Sequence, residues 1–336
     1  MKLKLENGRL FPIEKGQPPV YMRRLSKAEI KLRKTKKDES LKPPAATAKP
    51  DERIRFFVYK ATPKQVQEIL NTQKDLLTIK RKFDNETVLF EAVYSGKVDL
   101  VKILLEAGAN TKDLGFKKQN LLFEVVKSDR VNQEIFELLL QSGVDINGIT
   151  ETKETLLMAY CSNPFSQDVN FLKYLISKGL DVHTSDLFGN TALTQAFQKG
   201  WVKGAETLLG HGADLEPAKK SLSFLGRTGD LKTLKYLLKK GIIQDSRGKT
   251  ALSLAARGYK KSAKVKKAFP EMLKIFKDYI NTKDNRGETA LFQCRDLESV
   301  KLLVEAGADK TITNKRGLSL LEHFKESKEI VKYLKK

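Results

Sequence analysis

Short apolar runs recur along this chain at nearly fixed spacing, most of them closed by a glycine. Gly108, Gly143, Gly179, Gly212, Gly241 and Gly307 follow such runs at steps of 35, 36, 33, 29 and 66 residues. The last step is twice 33, and Met272 to Ile280 supplies an apolar run inside it, so one glycine is missing near Asp278. The period is about 33 residues. Within one period, Asn85 to Asp113, a turn leads into Thr87 to Val93, then Ser95-Gly96, then Val98 to Glu106, then Gly108-Ala109-Asn110. In the second run Leu100, Val101, Ile103, Leu104 and Leu105 recur at helical spacing and form a broad apolar stripe. The pattern predicts a short helix and an amphipathic helix in each period. Glycine ends the second helix because the left-handed conformation costs it nothing. One such pair cannot bury its apolar face alone, so the expected fold is an all-α solenoid of stacked pairs.

The periods share two strings. Thr191-Ala192-Leu193-Thr194, Thr250-Ala251-Leu252-Ser253 and Thr289-Ala290-Leu291-Phe292 each follow a turn glycine: Gly189, Gly248 or Gly287. The helix ends read Gly108-Ala109-Asn110, Gly143-Val144-Asp145, Gly212-Ala213-Asp214 and Gly307-Ala308-Asp309. These seven consecutive units resemble the ankyrin repeat, whose corresponding strings are Thr-Pro-Leu-His and Gly-Ala-Asp. Threonine suits its place, since the hydroxyl can cap the free amides of the first helix. No unit carries the whole first string. Its histidine, which in the family helps tie neighbouring units by hydrogen bonds, is replaced by Phe90, Phe123, Met158, Thr194, Ser253 or Phe292, and apolar packing is expected to substitute. The unit Glu216 to Gly241 is short and the next has an insertion around Tyr259 to Pro270. Repeat stability is roughly a sum of unit and neighbour terms, so a weak joint is expected near residues 216–270. Fast hydrogen exchange there would reveal it; uniform protection along the array would contradict it.

A solenoid needs polar outer faces at its ends. Ile54 to Tyr59 with Pro63 to Leu70 reads as a front cap, and Leu318 to Phe324 with Lys328 to Leu334 as a back cap. The array is expected over residues 51–336, with about nine helix pairs counting both caps. Residues 1–50 differ: 14 Lys and Arg stand against 5 Asp and Glu, so this arm holds +9 of the formal charge of +22. Pro18-Pro19 and Pro43-Pro44 punctuate it, and Pro43 to Pro50 reads as an extended linker. Ser26-Lys27-Ala28-Glu29 has the form of a capping box opening a short basic helix toward Lys37. So short a helix is marginal alone, and the arm is expected to be mostly disordered until something acidic or grooved binds it.

The charge favours acidic partners. Two distant cysteines, Cys161 and Cys294, form neither a disulfide framework nor a zinc spacing and point to a reducing compartment. By the resemblance both occupy small first-helix positions and read as buried, inert thiols. No signal peptide or transmembrane segment is expected, which places the chain in the cytoplasm. No phosphate loop, metal-ligand set or nucleophile motif is present. His183, His211 and His323 fall on separate units, and Trp201 reads as partly buried between units. No catalytic role, cofactor, metal or small-molecule substrate is expected, and a monomer is. Lys31 to Lys37 also fits the loose pattern of a nuclear import signal.

Ankyrin repeats bind through turn tips and the exposed side of the first helices, which together form a concave face. The resemblance puts Phe83 and Asp84, Phe116 and Lys117, Leu187 and Phe188, Arg247, Asn285 and Arg286, and Lys315 and Arg316 at the tips. Tyr94, Lys127, Lys199, Arg227 and Arg257 would line the groove behind them. Phe116 and Phe188 have two readings: exposed docking anchors, or rings folded onto their own turns. The implied function is a non-enzymatic adaptor, scaffold or inhibitor gripping a partner protein with an acidic surface. The sequence permits the special case of a bacterial effector acting in a host cytosol. The alternative is a nucleic-acid or anionic-membrane tether working through the basic arm, although no aromatic-plus-basic stacking platform accompanies it.

Overall fold

The computed structural model describes the backbone of residues 3–6 and 9–12, and residues 42–336 in full. Among the described residues the array consists of nine helix pairs. The first is α1 (Pro50–Arg55), continued by a π-helical turn at Phe56–Lys60, with α2 (Pro63–Thr72). Then come α3 (Val88–Ser95) with α4 (Val98–Glu106), α5 (Leu121–Val126) with α6 (Gln133–Gln141), and α7 (Leu156–Cys161) with α8 (Val169–Ser177). The middle pairs are α9 (Ala192–Gln198) with α10 (Val202–Gly210), α11 (Lys219–Thr228) with α12 (Leu231–Lys239), and α13 (Ala251–Gly258) with α14 (Ala263–Ile275). The last are α15 (Ala290–Gln293) with α16 (Leu297–Glu305) and α17 (Leu320–His323) with α18 (Lys328–Leu334). First helices stack in chain order, α1 on α3 and so on to α17, and second helices pack behind them. The fold is the all-α repeat solenoid that the periodicity predicts.

Each unit is hydrophobic where it meets its neighbours. Leu100, Val101 and Leu104 of α4 are buried, as are Ile135, Phe136 and Leu139 of α6 and Phe171, Leu172 and Leu175 of α8. Rings meet edge to face within and between units: Tyr160 with Phe171 at 5.2 Å inside one unit, and Phe136 with Phe171 at 5.4 Å and Tyr160 with Trp201 at 5.7 Å between neighbours, centroid to centroid. Trp201 is 4% exposed, so it is a core residue rather than a half-buried one. Neighbouring units also share hydrogen bonds. Asn163 donates to the Val126 and Ser128 carbonyls, and the Ser221 hydroxyl to the Thr194 carbonyl.

The helix ends follow the expected chemistry with two exceptions. Gly108, Gly143, Gly179, Gly212, Gly241 and Gly307 all take positive φ. Where the seventh glycine is missing, a 3-10 turn at Lys277–Tyr279 closes α14 instead. The hydroxyls of Thr155, Thr191 and Thr250 accept from the amides of Met158, Thr194 and Ser253 as caps. Those of Thr87 and Thr289 do not; they are buried without a hydrogen-bond partner. A buried hydroxyl lacking a partner is a net cost, whereas a lost cap costs about 1 kcal/mol. Thr289→Val is therefore expected to leave thermal stability unchanged or raised, and Thr191→Val to lower it by about 1 kcal/mol. Equal losses in the two melting curves would contradict the assignment.

In the basic arm, β1 (Leu3–Glu6) and β2 (Arg9–Pro12) pair antiparallel, with Leu3 opposite Pro12 and Glu6 opposite Arg9. The Asn7-Gly8 dipeptide between them is the sequence that a two-residue hairpin prefers. The Ser26 capping box, the helix toward Lys37 and the Lys31 to Lys37 run lie outside the described residues. Where description resumes, Pro44 accepts a hydrogen bond from the Gln73 side chain, docking the linker beside the end of α2.

Candidate partner-binding face

The face in question is built by the turns that precede the first helices. In four of them an Asp or Asn organises the loop. The Asp186 carboxylate accepts the amides of Phe188 and Asn190, Asp245 those of Arg247 and Lys249, and Asp284 those of Arg286 and Glu288. Asn314 does the same for Arg316 and Leu318. The side chain thus mimics a backbone turn, and the next two residues project outward. Successive tips are joined by backbone hydrogen bonds: Glu151 to Lys117 (3.1 Å), Leu187 to Thr152 (2.9 Å), Asn285 to Arg247 (3.0 Å) and Lys315 to Arg286 (2.9 Å).

This ladder has a break. The sixth unit has no tip; a 3-10 turn at Glu216–Ala218 runs straight into α11. The Phe188 carbonyl, which would receive the next tip's amide, takes the Lys220 ammonium at 2.7 Å instead, and the Gly189 carbonyl takes it at 3.1 Å.

Most of the residues expected at the surface are there. Leu187 and Phe188 are 60% and 68% exposed and Phe83 54%. Lys117, Arg247, Asn285, Arg286, Lys315 and Arg316 are exposed at their tips, and Lys199, Arg227 and Arg257 behind them. Tyr94 is half-buried. Lys127 is half-buried too, pairing with Glu154 at 3.0 Å and lying over the Phe123 ring. The two phenylalanines that sequence could not separate differ: Phe188 stands out from its turn, while Phe116 is half-buried with the Lys117 ammonium 5.3 Å from its ring.

Asp84 requires correction. It is buried rather than presented, because it chelates Arg81 through hydrogen bonds of 3.0 and 2.7 Å. Arg81 also binds Glu86 and Glu91, and all four side chains are buried. Burial disfavours the charge on Arg81, but Glu91, Glu86 and Asp84 outweigh it and hold the guanidinium pKa above its ordinary value. The cluster fixes the first tip onto α3, so its role is structural. Sequence reasoning missed it, and missed Leu114 and Ile149, exposed apolar residues at 44% and 50% beside the third and fourth tips. It also missed Phe165, 72% exposed on the α7–α8 loop. Each adjoins a glycine or proline, Gly115, Gly148 or Pro164, and an apolar residue beside a turn-former was the available signal.

The face is divided along its length. Residues 51–200 hold 19 Lys and Arg against 20 Asp and Glu, whereas residues 201–336 hold 30 against 16. The array's positive charge therefore sits almost wholly in its second half. Exposed apolar side chains at the tips, Phe83, Ile149, Leu187 and Phe188, are confined to the first half, where they stand beside exposed Lys117 and Lys118, whereas Arg247, Arg286 and Arg316 mark the second.

Other chemistry is sparse. No group of three or more His, Cys, Asp or Glu side chains among the described residues could hold a metal ion, and no helix there is long and apolar enough to cross a membrane. Cys161 and Cys294 are buried free thiols, and burial pushes the Cys294 pKa up to about 12 and that of Cys161 higher still. His183, His211 and His323 are exposed and far apart in sequence. A depression of about 480 Å³ lies between α8 and α10, lined by Lys173, Lys203, Glu206, Thr207 and His211, away from the tips.

A sequence model described as ankyrin repeats in three copies matches residues 56–149 and 122–219. The chain belongs to the ankyrin-repeat family. It is 28% identical over 207 residues to the Ankyrin repeat and KH domain-containing protein mask-1 of Caenorhabditis elegans, a stretch covering 60% of this chain and 8% of that protein. It is also 28% identical over 134 residues to an ankyrin repeat protein of Rickettsia bellii, covering 39% of this chain and 17% of that one. The chain thus spans a small part of either relative's length. Ankyrin repeats generally mediate protein–protein interaction. Against the regular family pattern it has two departures, the tipless sixth unit and the split in tip chemistry.

Proposed function

We propose that this ankyrin-repeat array is a non-enzymatic adaptor, scaffold or inhibitor that grips one partner protein along its tips and first helices. The observation that carries the reading is the confinement of the exposed apolar tip residues to the first half of the tip row, with the array's net positive charge in the second. Exposed Phe188 offers area and shape for a pocket on the partner, while Arg247 and Arg286 offer planar donors for carboxylates. A matching partner surface has an apolar patch beside an acidic one. The positive field raises the association rate, and the aromatic and arginine anchors supply most of the affinity.

The test is capture from native lysate on the immobilised full chain, after nuclease and at high salt, with Phe188→Ala/Arg286→Ala in parallel. A protein retained by the parent chain and lost from the double variant supports the reading. Each anchor is expected to weaken binding by about tenfold or more, as a loss of 1–2 kcal/mol implies. Capture that disappears with nuclease or moderate salt, equally for both chains, would show instead that charge alone binds, as in a nucleic-acid or membrane tether using residues 1–50.

A further inference from the structure

We propose that the place left empty by the missing sixth tip is a docking site for an acidic turn of the partner protein. The inference rests on reading this face as a protein-binding surface and names where, and with what chemistry, a partner enters it. The ladder fixes the geometry. In every joined pair, the residue after the turn's start donates its amide to the carbonyl of the preceding tip, as Leu187, Asn285 and Lys315 do. At the break two of these positions have no ladder partner. The Phe188 carbonyl takes Lys220, and the amide of exposed Ser246, the counterpart of Asn285 and Lys315, has no hydrogen-bond partner among the described residues. An inserted turn can therefore give Ser246 a carbonyl or carboxylate acceptor.

The floor and walls specify the turn's chemistry. Lys220, Ser223 and Arg227 stand at helical spacing on one face of α11 and run behind the break. Ser223 bonds Asp245 at 3.2 Å and receives Arg247 at 3.4 Å, which ties this floor to the next tip. Lys220, Arg227 and Arg247 are all exposed; Arg247 pairs with Asp245 at 3.3 Å, and the same carboxylate also accepts its own turn amides, so one carboxylate serves several donors here. The opposite wall is Leu187 and Phe188. A turn carrying one or two carboxylates and an apolar side chain satisfies the amide, the cations and the apolar wall together. Phosphate would meet the cations and the Ser246 amide but offers nothing apolar to Leu187 and Phe188, so an acidic peptide turn with an apolar side chain is the better match.

A phage library of disulfide-closed heptapeptides, panned on the immobilised full chain, tests this directly. Three chains are compared: the parent, Lys220→Glu/Arg247→Glu, and Arg257→Glu/Arg286→Glu. The expected result is enrichment of peptides holding Asp or Glu with an apolar residue. Their binding should fall at least tenfold on the first variant and persist on the second. Lys220→Ser/Arg247→Ser repeats the comparison without adding like charge, and melting curves check that these exposed changes leave the fold intact. No enrichment, enriched peptides without acids, or equal loss on both variants would overturn the proposal. Loss confined to Arg257→Glu/Arg286→Glu would overturn the site at the break while leaving the wider binding face standing. An oligo-dT strand that binds the parent chain, is lost on the first variant and displaces every selected peptide would assign the break to nucleic acid instead.

Discussion

Replacing Arg81 with methionine is expected to destabilise the array by about 3–5 kcal/mol, the range seen when one member of a buried ion cluster is removed. Arg81 is 4% exposed, and Asp84, Glu86 and Glu91 around it are 7%, 2% and 4% exposed. The substitution keeps the aliphatic stem but takes away the cation that three buried carboxylates share. The first tip would also lose its fastening, since Arg81 joins the turn residues Asp84 and Glu86 to Glu91 on α3. Urea unfolding of parent and variant measures the loss. Adding Glu86→Gln and Glu91→Gln to the methionine variant should restore part of it, because fewer uncompensated charges then remain. A loss below 1 kcal/mol would mean that the cluster is not the fastening described.

The second large effect is expected at Gly226, within α11. A Cβ built there would lie 2.5 Å from the Ala251 carbonyl oxygen and 3.1 Å from the Leu254 Cβ. The nearest atom is backbone, so α11 and α13 must separate if Gly226→Ala is to fit. Overpacking of this kind costs roughly 1–3 kcal/mol even after the better helix propensity of alanine is counted. Gly210→Ala is the control. Gly210 is also helical, but its added Cβ meets nothing within 4 Å, so that change should stabilise by about 0.5–1 kcal/mol. If both substitutions shift the unfolding midpoint in the same direction, the close approach of α11 to α13 is wrong. This contact also refines the weak joint expected at residues 216–270. The irregularity is in the tips, while the helices beneath are in close contact, so fast exchange should concentrate in Glu216–Ala218 rather than through α11 and α13.

The repeat was legible because its marks are local and physical. A glycine with positive φ and an apolar stripe need only their own unit to be recognised, and they located nearly every helix end. The exception at Asp278 shows the limit, since a 3-10 turn achieves the same reversal without glycine. The tips were harder to read because exposure depends on neighbours. Phe116 and Phe188 hold comparable places in sequence, but Lys117 and Lys118 are both left-handed, with φ of 56° and 59°, and the turn around Phe116 differs accordingly. Asp84 is buried because of Arg81, whose counterparts in later units are Ser185, Gln244 and Lys283. A feature found in one unit only has no period to announce it. The break at the sixth tip was visible as a short unit, but its consequence for Ser246 and Lys220 emerges only when the ladder is seen.

The uneven spread of charge has an effect before any contact forms. With one half of the array close to neutral and the other strongly positive, the array over residues 51–336 has an asymmetric charge along its stacking axis. For the acidic partner proposed above, the array's own field favours approach to the second half, so Arg286 and Arg316 are expected to meet it ahead of Phe83. Contact then spreads back across the break toward the apolar tips. Salt would slow that first landing while barely changing how long the finished complex lasts, because the field selects an orientation and the apolar tips hold it.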